Sequence, residues 1–278
     1  MHAMYWTSAL ILGAAQGLTE FLPVSSDGHL TLLEHFLPGM QPNLAFNVFL
    51  HWATALALLV YFRRDVGRLI QGFIMSFVPM FRARSIRPIL RDEWMTMPWL
   101  IVLGTIPTIP VALLLKHASE TTFSALPWVA LFEAITGLWI LLSVRVSRTR
   151  QQEAGSVITV GQALLLGFIQ GIAVLPGISR SASTVGLALM LGIMPQKAAR
   201  FSFYLGLPAI FGAGLLELPE LFAGGALGGE AWLAFVASFV FGLLGIHLLL
   251  RSVQSRWFAA FGVYCLLLGA VVGWSICR

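Results

Sequence analysis

Two short polar stretches carry the residue types that could do chemistry. The first contains Gln16, Glu20, Ser25, Ser26, Asp27 and His29. The second is Pro176-Gly177-Ile178-Ser179-Arg180-Ser181-Ala182-Ser183-Thr184. Gln16 and Glu20 stand at i and i+4, so a helix puts them on one face. There they could hold Mg²⁺ or Ca²⁺ through oxygen. Ser26 is a candidate nucleophile, and His29 a candidate base for it or for water. Asp27 or Glu34 could orient that imidazole. Arg180 offers a planar fork matched to phosphate, and Ser25, Ser179, Ser181 and Thr184 could add donors. The Gly and Pro residues imply broken helices, whose unpaired backbone N–H groups attract anions. No Walker motif, HExxH or CxxC pattern is present. This chemistry points to a phosphate-type anion.

The elements that position these residues follow from composition. The chain has 278 residues, 58% of them hydrophobic and only 10% charged, with a mean hydropathy of +0.86. Soluble domains carry about 25% charged residues. A disordered chain, a coiled coil, a disulfide scaffold and an ordinary cytosolic enzyme are thereby excluded. An all-α polytopic membrane protein remains. Six apolar stretches are long enough to span, at about 20 residues each: Phe46–Phe62, Met97–Leu115, Leu126–Val144, Phe201–Leu216, Ala231–Leu250 and Trp257–Ile276. Tyr5–Leu22 and Val157–Leu175 instead run into the two polar stretches. Irregular backbone at membrane depth is tolerated only inside protein or beside a wet cavity, so both read as re-entrant helical hairpins. Cys265 and Cys277 would lie about 18 Å apart on one helix, too far for a disulfide.

The hairpins resemble each other. Ala9-Leu10-Ile11-Leu12-Gly13-Ala14-Ala15-Gln16-Gly17 lies over Ala163-Leu164-Leu165-Leu166-Gly167-Phe168-Ile169-Gln170-Gly171, and Leu22-Pro23 over Leu175-Pro176 after a one-residue slip. One membrane domain, 1–278, is expected, with repeat one at about 1–144 and repeat two at about 157–278. The net charge of +5 bears on orientation rather than on nucleic acid, for which no role is expected. Of 17 Lys+Arg, fourteen fall in 63–96, 145–156, 195–200 and 251–256, which alternation puts on one side. Lys116 and Arg278 fall on the other, and the loop there adds Glu217, Glu220 and Glu230. By the positive-inside rule the basic side is cytoplasmic and both termini face outward. Met1–Thr7 holds no Lys or Arg, so no cleaved signal peptide is expected. Three spans per half give inverted-topology repeats, with tips meeting near the midplane. Arg180 is the one basic residue left inside the membrane. Glu20 is its natural partner, since intramembrane charges pair.

Gln16-Gly17-Leu18-Thr19-Glu20-Phe21-Leu22-Pro23-Val24-Ser25-Ser26-Asp27-Gly28-His29 resembles the first signature of the undecaprenyl-diphosphate phosphatase family, the bacitracin-resistance type. Pro176 to Thr184 resembles its second. Supporting stretches are Leu50-His51, Phe62-Arg63-Arg64-Asp65, Ile106-Pro107 and Ala199-Arg200-Phe201-Ser202-Phe203. The resemblance covers essentially the whole chain. It implies a bacterial inner-membrane enzyme that removes the terminal phosphate of undecaprenyl diphosphate. That recycles the lipid carrier for peptidoglycan and, in excess, confers bacitracin resistance. It implies six transmembrane helices plus two re-entrant hairpins in inverted repeats. It assigns Glu20 a metal or catalytic role, Ser26 nucleophilic attack, His29 acid/base work and Arg180 the phosphate clamp, with Ser179 and Thr184 supporting the phosphate. Expected partners are the polyprenyl diphosphate, membrane lipids and, in a homodimer, a second copy. The chain departs from the family at Gln16, where Glu is common, at Asp27, where a small hydroxyl is common, and at Ala182, where Gly is common.

A transporter or flippase for a lipid phosphate is the alternative, because inverted repeats with broken helices suit it too. A carrier needs Arg180 but not the Ser26/His29 pair. A non-catalytic membrane scaffold is a further rival. Glu133 and His51 lie within spans and could face the site or hydrogen-bond a neighbouring helix. His247 reads as interfacial. The stretch Arg82–Arg91 reads mainly as a topology determinant, with anionic headgroups its other use.

Overall fold

A computed structural model describes residues 6–36, 44–82, 87–150, 155, 157–216, 219, 228–255 and 257–276. Arg84, Glu217, Glu220, Arg256, Cys277 and Arg278, which enter the charge and cysteine readings, lie outside the described residues. Each of the two regions expected as hairpins contains a pair of helices around a short kink. The pairs are α1 (Trp6–Phe21) with α2 (Ser26–Phe36), and later α8 (Val160–Ile172) with α9 (Arg180–Met190). Between and after them run α3 (Leu44–Tyr61), α4 (Arg63–Arg82), α5 (Arg87–Arg91), α6 (Glu93–Thr121), α7 (Leu126–Arg150), α10 (Pro195–Leu216), α11 (Gly229–Ser252) and α12 (Trp257–Ile276).

Helix ends follow local chemistry. Asp92 caps α6 by accepting from the Trp94 and Met95 amides. Thr159 and Gln162 form a reciprocal capping box at the start of α8. Among the described residues five helices are long and apolar enough to cross a membrane, or six when the bent pair α3–α4 counts as one span. The chain is an all-α, multi-pass membrane protein.

One region departs from the sequence reading. Residues 63–96, expected as a basic loop, contain α4, which leaves α3 at 81°. Leu69, Gly72 and Ser76 form its buried face. The Trp99 indole donates to Ser76 Oγ at 3.0 Å. Ile70, Ile74, Val78 and Phe81 are exposed. Charges at both ends hide this amphipathic period from a search for uniformly apolar runs.

Packing crosses between the two halves. α1 lies along α11, α8 along α6, and α7 along α12, while α3 meets both α10 and α11. Lipid tails are as apolar as Leu, so burial gives helices no strong reason to associate. Close backbone approach and hydrogen bonds must do so. Gly17 lies against the Ser238 carbonyl and Gly242, and Gly167 directly against the Gly104 backbone. Thr108 Oγ1 donates to the Gly167 carbonyl at 2.8 Å, and Gln170 Nε2 to the Leu205 carbonyl at 3.2 Å. Phe21, Phe62 and Phe203 fill the centre, with Phe21 edge-on to Phe203 at 5.6 Å.

Any Cβ at position 167 would overlap the Gly104 carbonyl. Gly167→Val therefore forces α6 and α8 apart. It should destabilise the protein by about 1–3 kcal/mol, the usual cost of overpacking, read as a lowered thermal-unfolding midpoint in detergent. An unchanged midpoint would mean the two helices are not held at this distance.

Candidate functional site

The two kinks meet. Ser25 ends the first, and its Oγ accepts from the Gly28 amide at 3.1 Å, capping α2. The same oxygen accepts from the Gly177 amide of the second kink at 3.0 Å. Ser181 Oγ donates to the Leu22 carbonyl at 2.7 Å, returning the connection. Gly177 has φ +97°, and a side chain there would meet the Val129 carbonyl. Both reasons require glycine. Thr136 of α7 ties the second kink down, donating to the Gly177 carbonyl at 2.9 Å and accepting from the Ser179 amide at 3.2 Å. Ser179 caps α9 through the Ala182 amide.

The charged groups converge beside this junction. Arg180 Nη2 donates to Glu20 Oε1 at 2.8 Å. Glu20 Oε2 accepts from Ser26 Oγ at 2.8 Å and from Gln16 Nε2 at 3.1 Å. Glu20 is buried and Ser26 half-buried. His51 Nε2 stands 3.6 Å from Glu20 Oε2 and 3.7 Å from Asp27 Oδ1. The His51 Nδ1 meets the Asn47 carbonyl at 2.8 Å, and Asn47 donates to Glu34. One buried carboxylate therefore collects a guanidinium, a hydroxyl, an amide and an imidazole.

Gly206 of α10 makes room for the guanidinium. A Cβ there would collide with Arg180 Nη1. Neither signature contains Gly206, and nothing in the sequence separates it from other membrane glycines. Ser202 stands in a supporting stretch with no role assigned to it; it meets Thr184 at 2.5 Å.

Several expected site residues sit differently. His29 does not join the cluster. Its Nδ1 meets the Ser25 carbonyl at 2.6 Å and lies 3.6 Å from Glu133 Oε1, and its Nε2 meets the Tyr264 hydroxyl at 2.7 Å. Asp27 does not orient it, because residues two apart point to different sides of a helix; Asp27 faces His51 instead. Glu34 bonds Asn47 rather than His29. The carboxylate beside His29 is Glu133 of α7, which is buried; among the described residues neither of its oxygens meets a hydrogen-bond donor in good geometry. Ser25, Ser179, Ser181 and Thr184 are buried and bonded to backbone or to each other, so they join the kinks rather than face an open site. His247 meets the Tyr61 hydroxyl at 3.3 Å.

In this resting arrangement Glu20 is engaged by hydrogen bonds, so a cation on Glu20 and Gln16 would require Arg180, Ser26 or the Gln16 amide to turn away. Both Glu20 oxygens already accept from Arg180, Ser26 and Gln16. Of the Gln16 amide, only the buried, unpartnered Oε1 is left to offer. Among the described residues no three His, Cys, Asp or Glu side chains gather as metal ligands.

Comparison with known proteins finds relatives along nearly the whole chain. The chain is 39% identical over 266 residues to a protein of Methanosphaera stadtmanae named undecaprenyl-diphosphatase, covering 95% of each chain. It is 41% identical to the protein of that name from Desulfosudis oleivorans, over 95% of this chain and 96% of that one. The Syntrophotalea carbinolica protein of the same name is 40% identical, over 96% and 98%. Residues 9–271, which include both kinks and the helices that hold them, match the family described as bacitracin resistance protein BacA, and the chain belongs to that family.

Proposed function

We propose that this protein hydrolyses undecaprenyl diphosphate to undecaprenyl phosphate and phosphate, recycling the lipid carrier for peptidoglycan and so supporting bacitracin resistance. The observation that carries this reading is the shared carboxylate: Glu20 accepts from both Ser26 and Arg180. A nucleophile, an acceptor for its proton and a phosphate clamp thus lie within one hydrogen-bonded group, inside a family whose named relatives are undecaprenyl-diphosphatases.

The geometry suggests a division of labour. Ser26 Oγ attacks the terminal phosphorus and gives its proton to Glu20 Oε2, its existing hydrogen-bond partner. The bridging P–O bond breaks, and undecaprenyl phosphate leaves as a stable anion. Arg180 moves to the equatorial phosphoryl oxygens, where neutralising charge is the main catalytic demand. Water then attacks the phosphoserine phosphorus, Glu20 returns its proton to the departing Ser26 Oγ, and phosphate leaves carrying the water's oxygen and protons. His29, bound to Tyr264 and beside Glu133, supports the backbone of the first kink through the Ser25 carbonyl. A divalent cation, Mg²⁺ or Ca²⁺, belongs to this reading as a companion of the diphosphate. Mg²⁺ usually binds through substrate phosphates plus one or two carboxylates.

The architectural reading is two re-entrant hairpins in inverted repeats. Its support is the exchanged packing: the first helix of each hairpin lies along a span of the other half, α1 on α11 and α8 on α6. The pairs run parallel, since Gly13 and Gly17 meet Ala234 and Ser238, while Gly167 and Gly171 meet Gly104 and Thr108. The basic loops support a bacterial inner-membrane placement, with both termini and the opening for substrate on the outer, periplasmic side. The same exchanged packing suits a lipid-phosphate flippase. Phosphate release from a polyprenyl diphosphate in detergent, where no gradient exists, separates the two.

Two substitutions test the chemistry. Ser26→Ala should abolish turnover while leaving the elution profile unchanged; near-normal phosphate release would remove Ser26 as nucleophile and leave water. Gly206→Ala keeps every polar group yet displaces Arg180. Since a shift of about 1 Å can cost about 10²-fold, it should approach Arg180→Ala, expected at on the order of 10²–10³ in kcat. A Gly206→Ala enzyme with unaltered kcat would show that Arg180 does not need this seat.

A further inference from the structure

Beneath the first kink, α1, α11 and α12 leave a cavity of about 630 Å³. It is separate from the cluster around Glu20. Gln16 and Glu20 occupy one face of α1, whereas Leu18 and Leu22 line the cavity from the other side of that helix and Thr19 from its flank, as 100° per residue places them. Leu248 and Phe261 form the opposite walls. The inner end is closed by His29 and Tyr264, which already bond each other at 2.7 Å.

The rim carries one charge. Arg251, in the last turn of α11, lines the mouth and is exposed. Among the described residues it makes no salt bridge. The neighbouring hydroxyls are engaged, since Ser252 Oγ donates to the Leu249 carbonyl at 3.0 Å and Ser255 Oγ to the Ser252 carbonyl at 3.0 Å. Arg251 is therefore the single available cation among the described residues of the mouth. Beside it Trp257 is 71% exposed, as tryptophans at the level of lipid headgroups are. An open cation at headgroup level with an apolar recess behind it is complementary to a molecule anionic at one end and hydrocarbon at the other.

We propose that this cavity binds an anionic glycerophospholipid, its headgroup phosphate on Arg251 and one acyl chain lying inward beneath Leu22 and Val24. Basic pockets between membrane helices take lipid headgroups on this principle. The occupant touches the back of α1 and braces the kink whose front holds Glu20, without meeting the reacting groups. The site stands whether or not the proposed phosphatase reaction is correct.

Native mass spectrometry of the full chain in detergent tests it, with phosphatidylglycerol and phosphatidylcholine of identical acyl chains as probes. The wild type should hold one phosphatidylglycerol about fivefold more tightly than phosphatidylcholine, the factor one Arg near an anionic surface supplies. Arg251→Gln should erase that preference. Ala260→Trp, which fills the cavity, should lose the bound lipid of either kind. Elution and unfolding temperature check that both variants fold. If Ala260→Trp fails to fold, phosphatidylglycerol brominated on its chains replaces it; this lipid should quench the emission that Trp257→Phe removes more strongly than its phosphatidylcholine counterpart. A preference surviving in Arg251→Gln, a lipid retained in Ala260→Trp, or equal quenching by both headgroups overturns the proposal. So does a polyprenyl monophosphate that displaces phosphatidylglycerol at equal concentration, which would make the cavity a product site.

Discussion

A buried carboxylate and a half-buried guanidinium, brought from opposite halves of the chain, govern the rest of this structure. On the re-entrant reading neither Glu20 nor Arg180 is tolerable alone, because an uncompensated charge at membrane depth is costly. Removing one partner of such a pair leaves the other unpaired, a loss of about 3–5 kcal/mol in soluble proteins. Their 2.8 Å contact therefore demands that both kinks reach the same place. The kinks in turn demand that their freed backbone groups be satisfied within the protein. Ser25, Ser181 and Thr136 do this across the junction. The close-packed glycines of α1, α8 and α10 follow from the same requirement, since the kinks meet only if their helices sit tightly on α11 and α6 and if Gly206 leaves space for the guanidinium.

What can be read from the sequence divides along physical lines. The spans are legible because a lipid-facing helix must be apolar along its whole length, and composition records that directly. The two kinks are legible because Pro, Gly and Ser clustered inside an apolar run break a helix at a depth where a break is costly. The pairing of Glu20 with Arg180 is legible because charges in a membrane need partners. α4 is not, since a helix at 81° to its predecessor needs only one apolar face, and its terminal arginines resemble a loop.

Side-chain direction is legible only in part. The spacing of Asp27 and His29 already argues against their facing each other, but which of them turns toward Glu20 depends on how α2 rolls against α3 and α7. That roll places His51 beside Glu20 and Asp27, and Glu133 beside His29. The hydroxyls mislead for a different reason. Ser and Thr at a broken helix serve as ligands for backbone groups as readily as for a phosphate, and residue type does not distinguish the two uses. Gly206 is invisible because its importance is an absence, the space where a Cβ would meet Arg180.

The resting pair also bears on how a serine could react in such a site. While Arg180 holds Glu20 Oε1, the carboxylate charge is largely compensated, and the Ser26 hydrogen bond to Oε2 is one of several. An arriving diphosphate carries more negative charge than Glu20 and competes for the same guanidinium. As Arg180 turns to the phosphoryl group, Glu20 loses its compensating cation. The Ser26 proton, held 2.8 Å away between heavy atoms, then becomes its main source of neutralisation. On the proposed reading, substrate binding and removal of the serine proton are coupled through one exchange of partners. Ser26 then needs no separate base, which suits a site in which His29 meets the Ser25 carbonyl and the Tyr264 hydroxyl instead.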